Sequence, residues 1–103
     1  MERVERLLKL YQSDPCDADV PYMIAQEHAK DGDHAHAIQW YDTCLKMEPA
    51  YHYAYYHKAK SLEALERNDD AAAVLRAGLA RAKAAGDAKA SNEIAAYLDE
   101  LTP

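Results

Sequence analysis

The chain has 103 residues and a formal net charge of −6, with Lys and Arg scattered among Asp and Glu and not gathered into a basic stripe, so a nucleic-acid partner is not expected. A domain of this length buries roughly 65% of its unfolded-chain surface, enough for a core without disulfides or metals. The sequence contains no apolar run long enough to span a membrane and no secretory leader pattern, and its two cysteines, Cys16 in a loop and Cys44 at a small helical position, fit a reducing, cytoplasmic setting.

Residues 2–13 place Val4, Leu7, Leu8 and Tyr11 on one stripe at helical spacing, and Asp14-Pro15 ends that segment. A second helix runs from Ala18 to the turn Asp31-Gly32-Asp33, and a third carries Ile38, Tyr41 and Leu45 up to Glu48-Pro49. The fourth opens on the tyrosine run Tyr51, Tyr53, Tyr55 and Tyr56 and continues through Leu62 and Leu65 to a turn at Asn68-Asp69. A fifth follows, and Gly86-Asp87 reads as its stop and the cap of a last helix with Ile94, Tyr97, Leu98 and Leu101 on one stripe. Alanine is abundant, and no segment alternates apolar and polar residues rich in Val, Ile and Thr, so strands are not expected.

These segments repeat with a period of 34 residues. Leu7, Tyr41 and Leu75 form one series, Leu10, Cys44 and Gly78 a second, and Tyr11, Leu45 and Leu79 a third; Asp14-Pro15 returns as Glu48-Pro49, Ala25 as Ala59, His28 as Leu62 and Ala37 as Ala71. Two helices approach closely only where the crossing residues are small, which assigns Ala25, Ala37, Ala59, Ala71 and Gly78 to crossings. Trp40, Tyr41, Tyr55, Leu62 and Leu75 then fill the space between successive hairpins.

A 34-residue unit of two helices with this pattern resembles the tetratricopeptide repeat. The resemblance implies an all-α, right-handed superhelix of six helices: a half repeat at 1–15, repeat one at 18–51, repeat two at 52–85 and a capping helix at 87–101. The chain departs from the family pattern at Pro21, where a large residue is usual, at Lys83 in place of a terminal proline, and at Lys58 in an apolar slot, where the lysine stem must run along apolar surface with its head in water.

The same resemblance implies a non-enzymatic protein-interaction module whose first helices line a concave groove. In this register the groove positions are Asp19, Tyr22, Met23, Gln26, Ala29 and Lys30 from repeat one and Tyr53, Tyr56, His57, Lys60, Glu63 and Ala64 from repeat two, and the partner-binding candidates among them are Tyr22, Met23, Gln26, Lys30, Tyr53, Tyr56, His57 and Lys60. Aromatic and Met side chains are frequent anchors of protein interfaces; the competing reading is that the tyrosines only pack against the last helix. The family's clamp for acidic chaperone tails needs Lys and Asn where this chain has Tyr22, Gln26 and His57, so that ligand is not expected.

Five histidines raise the question of a metal, but His34 and His36 point to different helix faces, none has an i, i+4 partner, and His28 substitutes for a packing residue; no metal or other cofactor is expected. No phosphate loop or nucleophile motif suggests an enzyme. At the N-terminal end, Val4 and Leu8 have no preceding helix to cover them and are expected to stay partly exposed, which offers the alternative of a self-association module, or part of a longer repeat protein, forming a weak homodimer through that helix.

Overall fold

A computed structural model describes residues 2–103, and all six expected helices form. They are α1 (Glu2–Ser13), α2 (Asp19–Lys30), α3 (His34–Met47), α4 (His52–Ala64), α5 (Asn68–Ala84) and α6 (Ala88–Leu101), with no strand among the described residues. Consecutive helices pack as antiparallel neighbours, and α2, α4 and α6 also touch one another in sequence, so they make one face of the stack while α3 and α5 back it. The result is a right-handed superhelix of helical hairpins closed by α6.

Local chemistry sets the helix ends. Asp33 accepts a hydrogen bond from the His36 amide at 3.3 Å and Asp87 accepts one from the Ala90 amide at 3.0 Å, each satisfying an orphan donor of a first turn. The hairpin turn of repeat one is made by Gly32 at φ 82, and the exit from α5 by Gly86 at φ 72. In repeat two the turn falls on Glu66 at φ 60, which occupies the register position of Gly32. The turn expected at Asn68-Asp69 is therefore misplaced: both residues lie inside the first turn of α5, where the Asp69 carboxylate favours the helix N-terminus.

The core is a chain of linked clusters. Leu7, Val20 and Ile24 join α1 to α2, with the Tyr11 ring meeting Trp40 edge to face at 5.3 Å. Ala25, Ala37, Tyr41, Cys44 and Ala54 form the middle, and Ala59, Leu62, Ala71, Leu75, Ile94 and Tyr97 the end under α6. All five small residues assigned to crossings are buried. Burial raises the Cys44 thiol to about 12, so it remains protonated and packs as a small hydrophobe. Lys58 keeps its side chain mostly covered, 21% exposed, and places Nζ 2.6 Å from Asp42 Oδ1.

The expectation for the N-terminal end needs correction. Val4 is only 7% exposed, because α1 lies on α2 with that side chain turned inward; Leu8 is half-buried, and the exposed apolar residue is Leu10 at 48%.

Candidate functional site

Three polar links tie the tyrosine run and its surroundings across the inner face. The Tyr51 hydroxyl donates to Asp19 at 2.6 Å, Tyr53 to Glu93 at 3.3 Å, and Tyr97 to Glu63 at 2.6 Å. The first joins α2 to the start of α4, and the other two join α4 to α6. Burial and the adjacent carboxylates push the Tyr51 and Tyr97 phenols above their ordinary range, so all remain donors at neutral pH.

With α6 bound to one side of α4, the open part of the face is the cleft between α2 and α4, floored by α3. Its volume is about 300 Å³, and its walls are Gln26, Ala29 and Lys30 from α2, His57, Lys60 and Ser61 from α4, and His34 and Tyr41 from α3. Five of the positions that the register aims at a groove therefore meet here: Gln26, Ala29, Lys30, His57 and Lys60.

The aromatic candidates frame the cleft. His57 stands between Tyr22 and Tyr56, with ring centroids 5.8 Å and 5.4 Å away, so the two tyrosines flank one site. Tyr22 also packs on Tyr51 at 4.8 Å and accepts a hydrogen bond from Gln26 at 3.2 Å, which fixes the amide beside the cleft. Burial raises the Tyr22 phenol to about 12. Lys60 Nζ lies 5.3 Å from the centroids of both Tyr56 and Tyr97, so two ring faces hold the ammonium at the rim. Burial and the neighbouring Lys60 charge hold the His57 imidazole below its ordinary value, so it is neutral at pH 7.

Two candidates lie elsewhere. Met23 packs on the Leu7, Val20 and Ile24 cluster toward α1, and Tyr53 is turned to Glu93 of α6. Three cleft residues were not anticipated as site residues: His34, whose Nδ1 is 3.1 Å from Ser61 Oγ, Ser61 itself, and Tyr41, which reads as a core aromatic. A serine on the buried stripe of α4, two turns after Ala54, is the signal that could have found Ser61. His28 and His36 sit at the hairpin turn on either side of Asp33, 5.5 Å apart, away from the cleft, and no metal-ligand cluster occurs among the described residues. Nor is any helix among them long and apolar enough to cross a membrane.

The family model for the tetratricopeptide repeat matches residues 18–51. No curated protein matches the chain significantly. Among solved structures, a tetratricopeptide repeat domain protein from Salinibacter ruber is 30% identical, with a TM-score of 0.80 over 86% of this chain and 90% of that one. PcrH, solved in complex with the chaperone binding region of PopD, is 20% identical with a TM-score of 0.89 over 98% of this chain and 77% of its own. A protein from Bordetella parapertussis is 21% identical, with a TM-score of 0.82 over 95% of this chain and 85% of that one. The last two likenesses show the fold, the first carries sequence identity over nearly the whole of both chains, and the chain belongs to the tetratricopeptide repeat family.

Proposed function

We propose that this protein binds an extended or helical segment of a partner protein on the concave face formed by α2 and α4, with the segment seated at the cleft framed by Tyr22, His57 and Tyr56. The observation that carries this reading is the cleft itself: a hollow of about 300 Å³ whose exposed lining is largely the apolar parts of its side chains, flanked by half-buried aromatics, with its helices tied by hydrogen bonds between them. Rigid aromatic contacts of this kind give binding area at low entropic cost. The likeness to PcrH supports it, since that fold was solved with a bound segment of PopD.

The test is selection of peptides from a displayed random library against the folded chain, followed by calorimetry on the enriched sequences. Ala29→Arg, which fills the cleft, should abolish their binding while leaving the melting temperature close to that of the unaltered protein. Peptides that bind Ala29→Arg as tightly as the unaltered chain would refute the cleft as the site.

A second reading, self-association through α1, is favoured by one observation: Leu10 is exposed and lies on the same helix as the half-buried Leu8 and Tyr11. Single exposed leucines are common on monomers, so this reading stands behind the first.

A further inference from the structure

On the α6 side of α4 the concave face joins tyrosines to carboxylates. Tyr53 donates to Glu93 at 3.3 Å and Tyr97 to Glu63 at 2.6 Å, and Tyr56 packs on Tyr97 with ring centroids 5.2 Å apart. The Lys60 ammonium completes a nearly equilateral triangle with these two rings, 5.3 Å from each centroid and within the range of cation–π attraction. On a helix a lysine commonly pairs with a carboxylate three residues on. Lys60 does not: it forms no ion pair among the described residues, and Glu63 accepts from the Tyr97 hydroxyl instead. Lys58 on the same helix is neutralised by Asp42, so an aromatic partner is particular to Lys60.

The ring pair is fixed and its occupant is not. Tyr97 is buried in the cluster of Leu62, Leu75 and Ile94, Tyr56 packs against that cluster, and the Tyr97–Glu63 hydrogen bond ties α6 to α4 beside it. Donation to a carboxylate also enriches the Tyr97 ring in electron density, which strengthens the pull of its face on a cation. Lys60, by comparison, is exposed, so its ammonium returns to water at little cost. The two rings form a preorganised ammonium site that the chain fills with a side chain of its own. Tyr56 also meets His57 at 5.4 Å, so this site adjoins the α2–α4 cleft.

Resting on the reading that this face binds a peptide, we propose that Tyr56 and Tyr97 take a lysine side chain of the bound segment, and that Lys60 is the internal occupant which this lysine displaces. The net charge of −6 and the carboxylates of Glu63 and Glu93 beside the rings favour a basic segment. Because Lys60 competes from within the chain, at an effective concentration on the order of millimolar, a free lysine binds poorly. A lysine carried by a segment already seated in the neighbouring cleft gains the same advantage of tethering and competes on equal terms. The recognised feature is therefore a lysine adjoining the residues that fill the cleft, and not positive charge in general.

The test uses the full chain labelled with nitrogen-15, unaltered and as Lys60→Ala, and two small probes, N-acetyl-lysine amide and N-acetyl-norleucine amide, whose side chains differ only by the ammonium. The lysine probe should bind Lys60→Ala with roughly millimolar affinity, move the amide signals around Tyr56 and Tyr97, and have its own ε-methylene protons displaced upfield by the ring currents; the norleucine probe should bind about tenfold more weakly. The unaltered chain should bind the lysine probe about tenfold more weakly than Lys60→Ala, since the internal ammonium must leave first. Tyr56→Leu in the Lys60→Ala background should remove the binding, and the ε-methylene displacement locates the probe between the rings even if that exchange disturbs folding. Equal affinity for the two probes, an affinity that Lys60→Ala does not raise, or ε-methylene protons unshifted in the bound state would overturn the assignment. Library-selected peptides that lack lysine but are still blocked by Ala29→Arg would leave the peptide-binding reading standing while this inference fails. A lysine probe held between the rings of a chain that selects no peptide would retain the ammonium site and sink the peptide reading.

Discussion

Gly78 of α5 lies directly beneath Tyr55 of α4: a Cβ added at Gly78 would fall 2.6 Å from Tyr55 Cβ and 2.8 Å from its Cγ. The tyrosine cannot swing away freely, because its hydroxyl donates to the Pro49 carbonyl at 2.8 Å. In repeat one the same two register positions hold Cys44 and Pro21, both buried. A small proline admits a cysteine at the crossing helix, while a tyrosine demands a glycine. The two repeats thus meet one spatial requirement with opposite divisions of volume.

Gly78→Ala should therefore destabilise the protein by about 1–2 kcal/mol, even though alanine is the better helix former by about 1 kcal/mol, because the overlap falls on the root of a ring and overpacking costs 1–3 kcal/mol or more. Urea unfolding would measure it. A midpoint at or above that of the unaltered chain would mean that α4 and α5 can separate at little cost.

Glu66 offers the opposite opportunity. It adopts φ 60 at the position where repeat one has Gly32, and a non-glycine residue in the left-handed region carries a penalty of about 1–2 kcal/mol. Glu66→Gly should relieve that strain, and after the extra chain entropy that glycine gains on unfolding the net stabilisation should be about 0.5–1 kcal/mol. Thermal melts of Glu66→Gly and Gly32→Ala should move in opposite directions.

The same residue explains what the sequence made legible. The 34-residue register was readable because helix crossings impose size limits that recur in each repeat, so Ala25 and Ala59, or Ala37 and Ala71, announce the packing by themselves. The turn of repeat two was not readable, because Glu66 adopts a conformation against its own preference while Asn68-Asp69 imitates a cap. Gln26, Lys30, His57 and Lys60 follow from the register as one face of two helices. Tyr41 and Ser61 do not, since a buried aromatic and a buried serine look like packing until the cleft beside them is seen. The burial of Val4 depends on the roll of α1 over α2, which no periodicity records.

Acidification should weaken the fold through His57. Burial and Lys60 hold its folded-state value below the ordinary 6.5, so the unfolded chain takes up the proton more readily. The stability that this group contributes is fully present above the ordinary value and is lost as pH falls through it toward the lowered one. Asp33 and Asp87 are shifted down by their capping hydrogen bonds, and their contribution is lost only near and below their ordinary 3.8. Melting temperature measured from pH 7.5 to about 5 should therefore fall, and His57→Gln should flatten the curve in that window. An identical slope in His57→Gln would show that this imidazole does not carry the dependence.

The N-terminal face provides the last prediction. Leu10 is 48% exposed on α1, one turn after the buried Leu7, and Glu2, Arg3, Glu5, Arg6 and Lys9 give the rest of the helix surface mixed charge. Arg3 is engaged with Glu27 of α2, which holds α1 to the stack, so Leu10 is presented by an ordered helix. If α1 mediates self-association, sedimentation should show a monomer–dimer equilibrium with a dissociation constant of about a millimolar or somewhat below, as expected for one small contact. Leu10→Glu should abolish it without lowering stability, since that side chain already faces water, whereas Val4→Glu should unfold the helix end because Val4 is buried. A strictly monomeric protein across the concentration range, with Leu10→Glu indistinguishable from the unaltered chain, would leave α1 as a sufficient cap whose exposed leucine has no partner.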